Sequence, residues 1–447
     1  MSNSHMSIED APLNRFHQIL SLRTGGGWLL DGYVLSIIGV AMVAMSEALN
    51  LTSFWQGMIA ASALIGIFFG GFLGGWMSDF MGRKKLYFVS PIIFTICSIV
   101  QLWVDSEWLL FLSRFVIGIG VGYEYTVAGT MLTEFLPKKY RGPRLASLTT
   151  LWFAGAAIAY IIGNIILKEA GPDAWRYVLA SPAILGIALF MFRIGTPESP
   201  RWLISKGRVA EADAIIKQVY GNHYSVANVE TQPATQKVPL SELLASGYGK
   251  RVFFVTMFWS CSVIPVFAVY AFAPRVLEAL NLTGDWAAYG SVAITLLFVV
   301  GCVVATQLIN VIGRRPMILH SFLWSGLALL GLGVFSESSQ ILILILFGLY
   351  AVFIGGAQVL QFVYPNELFP TEIRSLGVGI GASFSRVGAA IGTWLVPISL
   401  DTIGIGNTMF AAAAVTFIGL TISYFLAPET QSLSLEEATS LTPSTQA

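Results

Sequence analysis

The hydrophobic residues of this chain are gathered into long runs, each of roughly 20 residues or more, which is enough to cross a bilayer as a helix. Six runs precede a polar stretch over residues 196–250, and six follow it. The predicted spans, numbered 1 to 12, lie near residues 19–45, 56–78, 86–104, 108–135, 145–167, 175–195, 252–273, 287–311, 317–335, 341–364, 376–399 and 407–426. The pattern predicts an all-α membrane protein with twelve transmembrane helices in two six-helix bundles.

The polar segments divide the chain into five parts. They are an N-terminal tail (1–18), a first bundle (19–195), a central loop (196–250), a second bundle (251–427) and a C-terminal tail (428–447). Within the central loop, residues 202–204 and 210–220 carry an amphipathic pattern, which predicts helices lying on the membrane surface.

The composition supports a lipid environment. Hydrophobic residues make up 55% of the chain and charged residues only 11%, against roughly 25% charged in a soluble domain. The formal net charge is zero, so no basic surface for nucleic acid is expected. The 3 cysteines and 4 histidines show no metal-ligand spacing, so we predict no metal or other cofactor. The polar N-terminus does not have the pattern of a cleavable signal peptide.

Lysine and arginine residues collect in the loops after even-numbered spans and in the central loop. The opposite loops hold only Lys168, Arg176 and Arg275. Because basic residues are retained on the cytoplasmic side, we predict that both termini are cytoplasmic and that the protein lies in the cell (inner) membrane.

The two halves of the chain repeat each other at a nearly constant offset. Arg83 recurs as Arg314, 231 residues later, and Glu134 recurs as Glu367, 233 residues later. A Gly-Ala-Ala-Ile turn in span 5 recurs in span 11 at the same offset of 233. A six-plus-six duplication suits a transporter that rocks two bundles about a site near the midplane.

Several motifs within this repeat resemble those of a known family. The segment 75–85 (GWMSDFMGRKK) resembles the loop signature of the major facilitator superfamily, and 197–202 (PESPRW) with 428–430 (PET) resembles the sugar-porter signatures. The Asp-Gly-Tyr sequence ending at Tyr33, and the surroundings of Arg386, are similar to the metabolite:proton symporters. The resemblance covers essentially the whole chain and implies alternating-access transport of a small molecule.

Charged residues at the loop ends of the spans are candidates for gating. Such charges can bridge neighbouring helices when the cytoplasmic side closes, although basic loops also follow from orientation alone. Asn310 replaces the Asp of the first half, which is expected to weaken the second cluster. The predicted gating residues are Asp79, Arg83, Glu134, Arg141, Arg314, Glu367 and Arg374.

Four ionisable residues stand out within the predicted spans, where a charged side chain costs roughly 2.5–3.5 kcal/mol on insertion scales and therefore needs an explanation. They are Asp31 in span 1, Arg114 and Glu124 in span 4, and Arg386 in span 11. Burial favours the protonated form of Asp31 and an approaching cation favours the charged form, so Asp31 can carry a proton. In sugar porters a span-1 Asp and a span-4 Arg share this role, and Arg114 resembles that arginine. A static ion pair is the alternative.

Glu124 follows a glycine-rich turn of span 4, which lets another helix or a substrate come close. Its counterpart in the second half is Ala357, so the repeat does not require an acid there. We predict a role in proton coupling or substrate binding, with a locally hydrogen-bonded helix residue as the alternative.

Arg386 indicates that the substrate is an anion. A guanidinium in mid-span cannot be neutralised, and its fork suits a carboxylate. In the related organic-ion transporters a basic residue at this position accompanies anionic substrates. The competing interpretation is a permanent ion pair with Glu124.

Gln358 and Gln361 share a face of span 10 and are expected to hydrogen-bond to polar groups of the substrate. The other predicted binding residues are Tyr33, Trp259 and Trp394.

These features predict a secondary active transporter, most simply a proton-coupled symporter of a small organic anion. The alternative is a proton-coupled or facilitative porter of a neutral sugar or polyol. A membrane enzyme is not expected, because no nucleophile–base set or metal ligands occur at membrane depth. A transporter-like sensor would carry a large added signalling domain. The expected partners are the substrate, protons and the lipid bilayer, with the protein as a monomer.

Overall fold

The structure is a computed structural model that describes residues 7–229, 247–282 and 285–431, and these residues are helical with short connections. The spans of the first half are Arg15–Ala48, Ser53–Met81, Arg83–Val100, Glu107–Phe135, Lys138–Ala170 and, for span 6, Trp175–Ala180 followed by Pro182–Arg193. Those of the second half are Gly249–Ala279, Asp285–Ile312, Arg314–Val334, Gln340–Leu368, Thr371–Thr402 and Gly404–Leu426.

The prediction of an all-α protein with twelve spans is confirmed, although span 11 is less apolar than the others. Within the described residues, eleven helical segments are long and apolar enough to cross a membrane. Span 11, Thr371–Thr402, is not among them, although its 32 residues exceed the required length. Its first half is rich in glycine, serine and charged residues, and it packs between spans 2 and 7 inside the bundle. Burial against protein lets a less apolar helix cross the membrane.

Span 6 is interrupted at Ser181, where the chain passes from one helix to the next. Pro182 has no backbone N–H and starts the second helix at its first position, where that donor is not required. The second helix ends at Arg193, which is 0% exposed. The sequence pattern predicted a continuous span here.

In both halves the third helix begins after a glycine with positive φ and is capped by a glutamate. Gly82 and Gly313 have φ of +96° and +95°, a region that favours glycine. The Glu198 carboxylate accepts from the Arg83 N–H at 2.9 Å. The Glu429 carboxylate accepts from the Arg314 N–H at 3.0 Å. Each acid satisfies free donors of a helix N-terminus, which explains why the two signature motifs recur.

The side of the bundle that holds the central loop is here called the central-loop side, and the other the opposite side. The halves touch closely on the opposite side. A side chain at Gly39 would collide with the Tyr270 carbonyl, and Ser53 donates a hydrogen bond to Asp401. Tyr160 Oη also donates to the Tyr270 carbonyl at 2.9 Å. The opposite side is therefore closed.

On the central-loop side, the short helices Pro200–Ser205 and Val209–Tyr220 pack under the first half. The second buries Ala212, Ile216 and Val219 and leaves its charged face outside. The described part of the loop contains these two short helices, and residues 230–246 of the loop lie outside the described residues. That the helices lie on the membrane surface stays a prediction. The helix of span 1 begins at Arg15, within the segment predicted as the N-terminal tail.

Candidate functional site

The two halves enclose a central cavity of about 30 Å³. Its volume matches roughly one water molecule in the liquid, so a substrate can enter only if the cavity widens. Spans 1, 4 and 5 of the first half and spans 7, 10 and 11 of the second line it. The lining residues are Trp28, Tyr125, Thr149, Trp152, Phe153, Val263, Val266, Phe267, Gln358, Gln361 and Arg386.

Arg386 is the charged residue of this lining, and it is only 7% exposed. Its guanidinium carbon lies 5.5 Å from the ring centre of Tyr125 and 5.5 Å from that of Phe267. Across the part of the chain that the structure describes, it forms no ion pair with a carboxylate. Two aromatic faces thus hold the cation without neutralising it.

Gln358 and Gln361 also line the cavity, as the sequence predicted for a shared face of span 10. Gln361 Nε2 donates to Ser262 Oγ and to Gln358 Oε1, both at 2.8 Å, and Gln358 Nε2 donates to the Ser262 carbonyl at 3.0 Å. Hydrogen bonds to Ser262 of span 7 therefore hold the two amides of span 10 in fixed positions.

Three predicted binding aromatics lie away from the cavity. Tyr33 turns to span 6, where its hydroxyl hydrogen-bonds Ser181 Oγ at 2.7 Å. Trp259 is buried within the second half at 2% exposure. Trp394 lines a neighbouring groove of about 360 Å³ between spans 2 and 11, which Arg386 also touches. Helical spacing alone did not give the direction in which these side chains point.

Asp31 is 0% exposed, and neither carboxylate oxygen has a hydrogen-bond partner within residues 7–229, 247–282 and 285–431. A charged carboxylate in that setting is costly, so burial favours the protonated form. The backbone beside it is tightly packed, because a side chain at Gly32 would collide with the Trp152 carbonyl.

Glu124 is paired with Arg193, at the end of span 6. The two are 1% and 0% exposed, and both guanidinium η-nitrogens donate to the carboxylate, one of them at 2.9 Å. Ser90 Oγ donates to the same carboxylate at 2.5 Å. The alternative in which Glu124 neutralises Arg386 is therefore wrong for this conformation.

Sequence reasoning missed Arg193. An arginine in the last turn of a span is ordinarily read as an interfacial residue, because it can extend to the membrane surface. One signal was available. The offset of 231 that relates other motifs places Tyr424 opposite Arg193, so the repeat does not require a cation there.

Arg114 does not contact Asp31, contrary to the pairing that the family resemblance implied. Arg114 Nη1 instead donates to the Val34 carbonyl at 2.7 Å, and Nη2 to the Leu35 carbonyl at 3.4 Å. Arg114 is 1% exposed and holds the backbone of span 1 one turn beyond Asp31.

The predicted gating residues form one cluster in each half. In the first, Arg83 Nη1 lies 3.0 Å from Asp79 Oδ1, and Arg83 Nη2 lies 3.2 Å from Glu134 Oε1. Arg141 Nη2 pairs at 2.7 Å with Glu9, a partner in the N-terminal segment that the sequence did not indicate. These bonds join helices of one half only.

The second cluster repeats the first. Arg314 Nη2 lies 2.8 Å from Glu367 Oε1, and Arg314 Nη1 donates to Asn310 Oδ1 at 3.2 Å. Asn310 thus keeps a hydrogen bond although it cannot form an ion pair. Arg374 Nε donates to the Phe369 carbonyl at 3.0 Å. Because both clusters are internal to a half, the halves can separate without breaking them.

Comparison with known proteins gives a consistent result. The model of the family described as "Sugar (and other) transporter" matches residues 23–441. The chain is 38% identical to the putative metabolite transport protein YaaU of Escherichia coli, over 98% of this chain and 97% of that protein. It is also 38% identical to the inner membrane metabolite transport protein YgcS of Escherichia coli, over 98% and 97%.

A more distant relative is the arabinose-proton symporter of Bacillus subtilis, at 26% identity over 98% of both chains. Among solved structures, the partially occluded inward-open form of the xylose transporter XylE from E. coli superposes with a TM-score of 0.79. The two share 21% identity, and the match covers 94% of this chain and 100% of that one. This likeness establishes the fold.

Proposed function

Because the chain belongs to the family of sugar and other transporters, we propose that it is a proton-coupled symporter of a small organic anion. It is a multi-pass membrane transporter of the major facilitator type, and its relatives are transporters rather than enzymes. The proposed substrate class rests on the residues of the central cavity, and the proposed coupling ion rests on Asp31.

The observation that carries the proposal is the setting of Arg386. It lies in the cavity between the halves, is held by two aromatic rings and has no acidic partner in the described residues. A buried guanidinium cannot lose its charge, and its planar fork binds a carboxylate through two parallel hydrogen bonds. A substrate carboxylate supplies the missing counter-charge.

The balance of buried charge supports the same conclusion. Within the described spans, the buried charged residues are three arginines and two acids, namely Arg114, Arg193, Arg386, Asp31 and Glu124. With every group charged, one positive charge is in excess, and a protonated Asp31 raises the excess to two. An unpaired charge at membrane depth is costly, so an anion is favoured over a neutral ligand.

Asp31 is the proposed proton carrier. Its isolation favours the protonated form in this conformation, and a shift of span 1 that brings a cation or water to it would release the proton. The relative named as an arabinose-proton symporter supports proton coupling in this family. Arg114 acts indirectly, by fixing the backbone of span 1 next to Asp31.

The proposed cycle is alternating access with the central-loop side in the cytoplasm. The contacts between Gly39 and Tyr270 and between Ser53 and Asp401 seal the opposite side. The Arg83 and Arg314 clusters keep each half rigid while the halves rock.

A neutral sugar or polyol remains the second candidate. The family description names sugars, and Gln358 and Gln361 form a fixed polar surface on the cavity wall. Under this alternative, hydroxyl groups would bind the amides and Arg386 would act through its aromatic contacts.

The test is uptake by proteoliposomes that contain the purified protein, using a panel of labelled small carboxylates and matched neutral sugars and polyols. Each compound is measured with and without an imposed pH gradient, beside empty liposomes. The proposal predicts accumulation of at least one carboxylate that rises when the outside is acidic. Accumulation of neutral compounds alone would transfer the assignment to the sugar alternative.

A further inference from the structure

Arg193 and Glu124 form a buried ion pair with no assigned role in transport. Arg193 Nη1 donates to the Tyr87 carbonyl at 2.5 Å and to Ser90 Oγ at 3.3 Å, besides its bonds to Glu124. The guanidinium carbon also lies 3.7 Å from the centre of the Tyr87 ring. A pair so completely enclosed carries a large desolvation cost, which stability alone does not justify.

The pair lies directly against span 1. A side chain at Gly27 would collide with Glu124 Oε1 and Arg193 Nη2, so glycine there lets the ion pair touch the helix backbone. Asp31 is one helical turn further on and therefore on the same face. Neither Glu124 nor Arg193 hydrogen-bonds to Asp31, because both Asp31 oxygens are without a hydrogen-bond partner among the described residues.

Two acids thus face one arginine in a site closed to water. Arg193 can compensate one negative charge, and in this conformation both of its η-nitrogens donate hydrogen bonds to Glu124. The second acid, Asp31, then remains neutral because its charged form has no counter-ion. If Glu124 releases Arg193, the guanidinium becomes available to Asp31.

We propose that Arg193 is the shared counter-ion of Asp31 and Glu124 and that its choice of partner sets whether Asp31 holds the transported proton. When Arg193 turns to Asp31, the O–H bond of the Asp31 carboxyl breaks and its carboxylate accepts from the guanidinium. Glu124 loses its counter-ion and takes up the proton, so the net charge of the closed site does not change. Arg193 is a positioning residue, since it acts through Asp31. This inference rests on the proposed proton coupling but not on the identity of the substrate.

Other ionisable groups around Asp31 do not replace Arg193 in this role. Span 4 contributes Tyr125, whose ring centre lies 5.5 Å from the guanidinium carbon of Arg386. Span 4 also contributes Arg114, which is committed to backbone carbonyls of span 1. Span 3 contributes Tyr87, whose hydroxyl hydrogen-bonds Thr24 at 3.2 Å. The described charged residues of spans 5 and 7 lie near the ends of those helices, and none of them is buried.

The test is infrared spectroscopy of the purified full-length protein in lipid at neutral pH, without substrate. Protonated carboxyl groups give a C=O stretching band that carboxylates lack. Isotopically labelled aspartate separates the aspartic from the glutamic component. The Asp31→Asn variant identifies the part of the band that belongs to Asp31.

Glu124→Gln is the decisive variant, because glutamine keeps the shape of glutamate while freeing the guanidinium. We expect its aspartic carboxyl band to fall to the level of Asp31→Asn, since Asp31 then ionises beside Arg193. A second variant, Arg193→Gln, removes the cation and is expected to keep the aspartic band and add a glutamic one. Glu211→Gln, at an exposed position of a surface helix, is the matched control and should leave the protonated-carboxyl bands unchanged.

A full aspartic band in Glu124→Gln would overturn the proposal, because Asp31 would then be indifferent to Arg193. Absence of a new glutamic band in Arg193→Gln would also overturn it. These outcomes are read without transport. A failure of the anion hypothesis in the uptake panel therefore leaves this result intact, and the reverse also holds.

Discussion

Replacing Arg386 distinguishes a role of this arginine in substrate binding from a purely structural role. Arg386→Lys keeps the charge but loses the planar fork, and Arg386→Gln loses both at similar size. Because the wild-type guanidinium has no carboxylate partner in the described residues, neither change leaves a buried acid unpaired. The structure therefore predicts a defect in binding without a defect in folding.

The magnitude follows from what the arginine contacts. Removing one partner of a buried, hydrogen-bonded charge pair costs about 2–5 kcal/mol, which corresponds to about 30-fold to several thousand-fold in affinity. Arg386→Gln should fall in that range for a carboxylate substrate. Arg386→Lys should show a smaller loss, since it retains the Coulomb attraction. The contacts to Tyr125 and Phe267 contribute about 0.5–2 kcal/mol to holding the cation.

The assay is binding of the carboxylate found in the uptake panel, measured by calorimetry in detergent beside the thermal unfolding temperature of each variant. The amide of that substrate is the matched control ligand. The amide should bind weakly to the wild type, because it offers no carboxylate to the Arg386 guanidinium. For the same reason, its affinity should fall little in Arg386→Gln.

Two results would refute this reasoning. A large drop in unfolding temperature for Arg386→Gln would mean that the arginine balances an acid within the protein. Rescue of folding and uptake by adding Glu124→Gln would identify that acid. The structure predicts no rescue, because Glu124 is already held by Arg193.

Three further predictions follow from the fold and the proposed cycle. Asp31→Asn should abolish accumulation driven by a pH gradient but retain substrate exchange, and a mutant that still concentrates substrate would place the coupling proton elsewhere. In a cysteine-free background, Lys206→Cys should be labelled by an impermeant reagent only from the cytoplasm and Asp105→Cys only from outside; labelling from one side would contradict the orientation. Gly39→Val should wedge the opposite side apart, which spin labels on that side would record as a longer distance, whereas an unchanged distance would contradict a seal at this contact.

The sequence determined the number of spans, which follows from local composition, and the duplication, which follows from motifs repeated at a nearly constant offset. Lipid accepts only long apolar helices, so each span is visible in its own residues. The repeated motifs were also readable, since Glu198 and Glu429 cap their helices at the same place in each half. The setting of span 11 is the exception. Its polar character is compensated by packing between spans 2 and 7, which no local window contains.

The partners of the intramembrane charges were decided by the tertiary structure alone. The sequence identified Asp31, Glu124 and Arg386 because an ionisable residue in an apolar run is conspicuous. It could not tell that Glu124 faces Arg193 and that Arg386 faces the cavity, because a charge at helical spacing is compatible with several neighbours. Which acid meets which base depends on how the helices are rotated and packed against one another, and that is set by contacts between residues far apart in the chain.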